Sequence, residues 1–154
     1  MVQHIKTRVE SLNWDSIQRE LDEQGFAKLP VILTKEECEF FKGLYCEEEP
    51  YRTTINMTRY RFGNGEYKYF SYPLPEILQS LRESFYVELA KTANRWLGYL
   101  KKTEQFPDHL QDFLNTCEKY DQTRPTPLLL KYETGGFNCL HQDLSLFSRI
   151  LPPL

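Results

Sequence analysis

A chain of 154 residues with 40% hydrophobic and 14% aromatic content is long enough to bury a core and too apolar to stay disordered. Its formal net charge of -3 excludes a global basic field, so a nucleic-acid partner would have to be held by a local patch. No apolar run approaches the length of a membrane span, and residues 1–10 lack the apolar segment of a secretory signal.

Four cysteines, Cys38, Cys46, Cys117 and Cys139, form no CxxC pair and read as reduced, mostly buried thiols in a cytoplasmic protein. Taken in order, Trp14, Ile17 and Leu21 recur at helical spacing, with Asn13 as N-cap and Gly25 as stop. Residues 26–33 form a short extended apolar segment. Thr34 and Glu37 have the spacing of a capping box, which opens a helix with Cys38, Phe41 and Tyr45 along one stripe. Glu47-Glu48-Glu49-Pro50 closes it and reads as a solvated turn. Two aromatic-rich alternating runs then flank Gly63-Asn64-Gly65, which predicts a hairpin over residues 56–72. On its first strand Tyr60 and Phe62 share one face and Arg59 and Arg61 the other; on its second, Tyr67 and Tyr69 oppose Lys68 and Phe70.

Pro75 suits the first turn of a long helix whose apolar stripe runs from Ile77 through Leu81, Phe85 and Leu89 to Leu100. Leu110, Phe113, Leu114 and Cys117 mark a further helix. The two prolines of Arg124-Pro125-Thr126-Pro127 forbid a helix there and lead into an apolar run, a Gly135-Gly136 turn and a second short extended run ending in His141-Gln142-Asp143. Helices and one hairpin precede the remaining strands, which is the α+β pattern.

On a strand, residues two apart point to one face, so His141 and Asp143 can reach one point. An imidazole and a carboxylate so placed are two thirds of the facial triad that holds non-haem Fe(II). The bare pattern also arises by chance, and a histidine near a strand end is commonly structural. Tyr132, nine residues earlier, either donates its hydroxyl to a carboxylate of a metal-bound co-substrate or packs as a strand aromatic. The cations and aromatics of the hairpin (Arg59, Arg61, Tyr67, Lys68 and Tyr69) can contact phosphates and stack bases, or can be cross-strand pairs with snorkelling cations. His4 and His109 have no partner at ligand spacing. There is no Gly-x-Ser-x-Gly, no catalytic cysteine context and no Walker or Rossmann glycine loop.

Five blocks in the same order carry a resemblance. They are the run from Arg61 to Phe70, Tyr72-Pro73-Leu74-Pro75, Ala93-Asn94-Arg95-Trp96, the run from Arg124 to Leu130, and Leu140-His141-Gln142-Asp143-Leu144. Over roughly residues 10–144 the chain resembles bacterial 2-oxoglutarate/Fe(II)-dependent oxygenases, in particular the group expected to remove alkyl lesions from nucleic acid bases oxidatively. The resemblance implies a double-stranded β-helix (jelly roll) with helices outside. It implies Fe(II) with 2-oxoglutarate and O2 as co-substrates, His141 and Asp143 as iron ligands, and Tyr132 lining the 2-oxoglutarate site. Better known AlkB-like demethylases have an asparagine two residues before that tyrosine; here the residue is Leu130. The implied reaction hydroxylates a C–H bond as 2-oxoglutarate becomes succinate, and an N-hydroxyalkyl group then leaves as an aldehyde. A base in a duplex would first be flipped out or presented single-stranded.

The chain departs from that pattern at its end. After His141 there are 13 residues, no further histidine, and Arg149 as the one cation, so neither the second iron-binding histidine nor the basic residue for the distal carboxylate is found there. Residues 145–154 look unrelated to the family. The expected organisation is therefore one domain over residues 1–154. Residues 10–123 are mainly helical with the hairpin at 56–72, residues 124–144 carry the first jelly-roll strands and the His-x-Asp, and an unrelated tail follows, as in a truncated or frameshifted product. The expected function is oxidative demethylation of alkylated DNA or RNA bases, weak or absent in this chain by itself. The alternatives are an oxygenase acting on a protein side chain or small molecule, and a non-catalytic remnant acting as a binding module. The residues do not decide the oligomeric state.

Overall fold

A computed structural model describes the backbone of residues 2–141 and the side chains of residues 5–141. The helices are α1 Val2–Glu10, α2 Trp14–Gln24, α3 Lys35–Leu44, α4 Met57–Tyr60, α5 Glu76–Tyr99 and α6 Leu110–Lys119. The strands are β1 Tyr51–Asn56, β2 Gly63–Asn64, β3 Glu66–Phe70, β4 Leu128–Lys131 and β5 Phe137–Asn138. The chain is mixed α+β, as its patterning indicates, and divides into two compact units, Met1–Cys38 with Pro75–Lys119 and Glu39–Leu74 with Tyr120–Leu154.

The first unit is helical. Asn13 caps α2 by accepting the Ser16 N–H at 3.1 Å, and Gly25 ends it in the left-handed conformation at φ 77°. α1 has no strong signal in the sequence, because nine residues offer a stripe of little more than Ile5 and Val9, yet both side chains are fully buried on α5. The Trp14 indole donates to the Val9 carbonyl and meets the Phe85 ring edge-on at 5.9 Å. The Ala93-Asn94-Arg95-Trp96 block has a structural use. Arg95 and Trp96 both bond the Asp22 carboxylate of α2, while Asn94 donates to the Phe106 carbonyl and accepts its N–H.

The capping box at the start of α3 forms: the Thr34 hydroxyl accepts the Glu37 N–H at 3.2 Å and the Glu37 carboxylate accepts the Thr34 N–H at 2.8 Å. Glu37 is also ion-paired with Arg8 at 2.7 Å and is 3% exposed. Arg8 donates further to the Ile32 carbonyl. Burying Glu37 rotates the inward stripe of α3 to Glu37 and Leu44, with Phe41 half-buried, and leaves Cys38 in solvent. The expectation of mostly buried thiols is corrected accordingly: all four cysteines are free, Cys117 is buried, and Cys38, Cys46 and Cys139 are exposed. The Arg8 hydrogen bond holds the Glu37 carboxyl below the usual range, outweighing the opposing effect of burial, and the Thr34 N–H adds to it. Glu37→Ala is expected to cost about 3 kcal/mol, the low end for a broken buried pair because Arg8 remains partly solvated. With its folded pKa depressed, the carboxylate contributes fully above the unfolded value near ~4.3, and that contribution is lost as pH falls through the folded value. Denaturant unfolding of the wild type and the variant across acid pH checks both statements.

The second unit holds the strands. β1, β3 and β4 form an antiparallel sheet in that order, with Ile55 and Leu130 on either side of Tyr67. β2 and β5 form a separate antiparallel pair, Gly63 opposite Asn138 and Asn64 opposite Phe137. The hairpin is thus not built as the sequence suggests. Its first strand lies earlier, at β1, and residues 57–60 form a helical turn. The cause is local. The Asn56 side chain accepts the Arg59 N–H at 3.2 Å and caps the turn, and Arg61 closes it in the left-handed conformation at φ 59°. The second strand is as expected: Tyr67 and Tyr69 share one face, and Phe70 on the other is fully buried against Tyr51. The described strands do not close a barrel.

Candidate functional site

The Gly-Gly turn lies between β4 and β5, but those two strands do not pair with each other: β4 joins β3 and β5 joins β2. This divergence carries the segment after the turn to the loop at residues 57–64. The Cys139 N–H donates to the Phe62 carbonyl at 2.8 Å, and the Cys139 Sγ lies 3.7 Å from the Arg61 carbonyl oxygen. His141 follows directly, outside any strand, with its Nδ1 at 2.8 Å from the Cys139 carbonyl. A carbonyl oxygen only accepts, so that contact puts the ring proton on Nδ1 and the lone pair on Nε2. Backbone-anchored imidazoles of this kind are the usual form of a metal-binding histidine. Asp143 lies outside the described residues.

The loop at residues 57–64 is an exposed aromatic and cationic surface. Tyr60 and Phe62, each about half exposed, stack at 5.7 Å with an interplanar angle of 20°. The Arg59 guanidinium carbon lies 5.9 Å from the Tyr60 ring, and Arg59 and Arg61 are both exposed. On the adjoining face of β3, Tyr67 and Tyr69 meet edge-on at 5.5 Å. Burial pushes the Tyr67 hydroxyl above its ordinary pKa, with smaller contributions from Tyr69 and Tyr60, which places the three phenols near one another. The Arg52 guanidinium covers the Tyr69 ring at 4.4 Å. Arg52 escaped the sequence reading because its strand was expected several residues later; it sits where the β1–β3 register slips, between Tyr51 and Thr53.

Lys68 is on the other face. Its ammonium donates to the carbonyls of Tyr45 and Glu47 and lies over the Tyr45 and Tyr51 rings at 4.8 and 5.1 Å. It ties down the chain after α3 and does not join Arg59 and Arg61. Beneath it, Tyr45 donates to Glu66 at 2.9 Å, and burial together with that bond raises the Tyr45 hydroxyl strongly.

Tyr132 stands just past β4, 43% exposed, while Leu130 of β4 is 48% exposed. A polar cavity of about 280 Å³ is lined by Asn56, Asn64, Glu66, Lys131, Glu133 and Thr134 among others, and by neither Tyr132 nor Leu130. A larger cavity of about 520 Å³ in the first unit includes Val9, Trp14, His109 and Leu114 and none of the candidate site residues. Among the described residues no three His, Cys, Asp or Glu side chains are grouped to hold a metal, and no helix is long and apolar enough to cross a membrane.

Comparison with known proteins adds three findings. A family model described as an oxygenase, catalysing oxidative methylation of damaged DNA, matches residues 65–149, more than half of the chain. That span holds Tyr67, Lys68, Tyr69, Tyr132, His141 and Asp143, and begins just after Arg59 and Arg61. Two uncharacterised proteins of Mycobacterium tuberculosis, from strains CDC 1551 and H37Rv, are each 40% identical over 75 residues, covering 49% of this chain and 32% of theirs. The chain therefore matches about a third of the length of these curated relatives. No solved structure matches it.

Proposed function

Because the chain belongs to the family of oxygenases described as catalysing oxidative methylation of damaged DNA, we propose that it acts in the oxidation of alkylated nucleic acid bases, DNA or RNA, through a 2-oxoglutarate/Fe(II) site. The single observation that carries this is the hydrogen-bonded link between the His141 segment and the aromatic–arginine loop, through Cys139 and Phe62. It sets a candidate metal ligand beside the surface best suited to hold a base.

The donor chemistry fits the group. His141 offers a backbone-oriented imidazole and Asp143, two residues on, a hard carboxylate oxygen; this pairing suits non-haem iron. Iron with 2-oxoglutarate and O2 supplies the oxidant for a C–H bond on the alkyl group. The residues do the rest. Tyr132 donates its hydroxyl to a co-substrate carboxylate. Leu130 offers no hydrogen bond where AlkB-like enzymes have an asparagine, so co-substrate binding leans more heavily on Tyr132. Tyr60, Phe62, Tyr67 and Tyr69 present ring faces and edges to an unstacked base, and Arg59 and Arg61 neutralise the phosphates either side of it. β4 and β5, within residues 124–144, would be the first strands of a double-stranded β-helix.

The net charge of -3 leaves the arginine pair as the main local attraction for a phosphate backbone. Arg59→Gln combined with Arg61→Gln is expected to weaken binding of a methylated single-stranded oligonucleotide at least tenfold. It is also expected to flatten the salt dependence by about 0.7 per lost phosphate contact. Lys68→Gln, by contrast, is expected to lower the melting temperature and leave the salt slope alone. Fluorescence anisotropy across a salt series checks this. A salt slope that falls as much per charge removed in Lys68→Gln as in the arginine double variant would show a diffuse charge effect and not this loop.

A further inference from the structure

We propose that Gly65 is the positioning residue for Tyr132: the bare Cα of this glycine is the shelf on which the tyrosine ring lies. A Cβ built on Gly65 would stand 2.8 Å from Cδ1 and 2.9 Å from Cε1 of Tyr132, and 3.1 Å from the Lys131 carbonyl oxygen. Side-chain carbons do not approach one another so closely, so the ring occupies space that any other residue would fill. Gly65 is not among the positive-φ glycines, which are Gly25, Gly63 and Gly135. Its backbone conformation therefore suits any residue, and space is what requires a glycine here. Gly136 closes the other side, since its Cβ would stand 3.1 Å from the Tyr132 Cβ, and also 2.9 Å from the Glu133 and 3.0 Å from the Asn64 carbonyl oxygens.

Tyr132 needs such a support. It lies one residue beyond β4, so no ladder bond of that strand fixes its backbone, and with 43% exposure no deep core fixes its ring. The shelf is itself rigid. The Gly65 carbonyl accepts the N–H of Met57 at 2.9 Å, and Met57 is the fully buried first residue of α4. The register of β3 and β4 pairs the next residue, Glu66, with Lys131, the residue before Tyr132. One glycine thus joins the base of the aromatic–arginine loop to the tyrosine, and a displacement of the loop is carried to the ring without passing through a flexible side chain. This inference rests on the proposed co-substrate role of Tyr132 only for its consequence, not for the packing.

The test uses the whole chain labelled with fluorotyrosine, with the Tyr132 resonance assigned by its loss in Tyr132→Phe. Gly65→Ala is expected to move that resonance by more than its line width. Gly98→Ala, where a Cβ meets nothing within 4 Å, is expected to leave it in place. Gly65→Ala is also expected to lower the melting temperature more in the wild-type background than in a Tyr132→Ala background, because removing the ring leaves only the 3.1 Å approach to the Lys131 carbonyl. A Tyr132 resonance unmoved by Gly65→Ala, or a melting cost as large without the ring as with it, would overturn the assignment. Adding 2-oxoglutarate with Zn(II), a diamagnetic stand-in for Fe(II), to the unmutated protein separates the two ideas. A moved Tyr132 resonance supports the positioning of co-substrate through Gly65. A resonance that responds to Gly65→Ala and not to 2-oxoglutarate would remove Tyr132 from the co-substrate site while the shelf stands.

Discussion

Gly63→Ala is expected to separate β5 from β2 and to cost about 3 kcal/mol or more, among the largest effects of any single methyl group in the chain. Two causes act together. Gly63 has φ +142°, a conformation that L side chains rarely adopt, and its Cβ would stand 2.2 Å from the Phe137 carbonyl oxygen and 2.9 Å from the Asn138 Cα. All these obstacles are backbone, so no side-chain rotation relieves them. The damage is local because the β2–β5 pair is two residues long and stands apart from the β1-β3-β4 sheet. It falls on the contact that carries the proposed function, since the Cys139-to-Phe62 bond lies immediately beyond the pair. Hydrogen exchange at the Cys139 amide is expected to become fast, while the amides of the β1–β3 ladder stay protected. Gly135 supplies the contrast. Its φ is +81° but a Cβ there meets nothing within 4 Å, so Gly135→Ala is expected to cost about 1 kcal/mol and to leave the Cys139 amide protected. Equal effects of the two substitutions would mean that β2 and β5 do not pair.

His141→Ala is the second. Loss of a residue that merely orients a metal ligand costs about 10–100-fold in metal affinity. Loss of a proposed ligand itself is therefore expected to cost at least ~100-fold, and Asp143→Ala a similar amount. His109→Ala is the control: its imidazole lies in the first unit, on the rim of the 520 Å³ cavity, with no candidate site residue among the cavity's lining. Competition titration with Fe(II) under anaerobic conditions, or with Mn(II), measures all three. The account requires the first two variants to lose metal and the third to keep it. Loss in the His109 variant alone would relocate the metal.

Much of this was legible in the sequence where one strong local rule decides the outcome. The cap at Asn13, the Thr34–Glu37 box, the stop at Gly25 and the alternation along β3 all form as their residue types dictate; α5 also forms, but it buries Ile77, Ala90 and Leu97 while Leu89 and Leu100 of the expected stripe are exposed. The failures share a cause, which is a side chain acting on distant backbone. Asn56, at the edge of the expected hairpin, instead caps a helical turn, which shifts the hairpin's first strand back to β1 and conceals Arg52. Glu37 closes its capping box and is also buried against Arg8, 29 residues away, which rotates the stripe of α3 and exposes Cys38. Lys68 was grouped with the loop arginines by composition, but alternation puts it on the opposite face, where carbonyls hold it.

In the candidate site the residue types were readable and the connection between them was not. His141, Tyr132 and the aromatic–cationic stretch can each be picked out by type and spacing. That the His141 segment leaves β4 to pair with residues 63–64 depends on a close backbone approach which only Gly63 permits, and no periodicity reports it.

The most direct test of the central claim is succinate release from 2-oxoglutarate by the purified chain with Fe(II), measured with a methylated oligonucleotide, with the same oligonucleotide unmethylated, and with a peptide carrying methylated side chains. The account predicts release that the methylated oligonucleotide stimulates, with an aldehyde formed in step, and that His141→Ala abolishes. Release that the peptide stimulates and the oligonucleotide does not, or release that His141→Ala leaves intact, would contradict it.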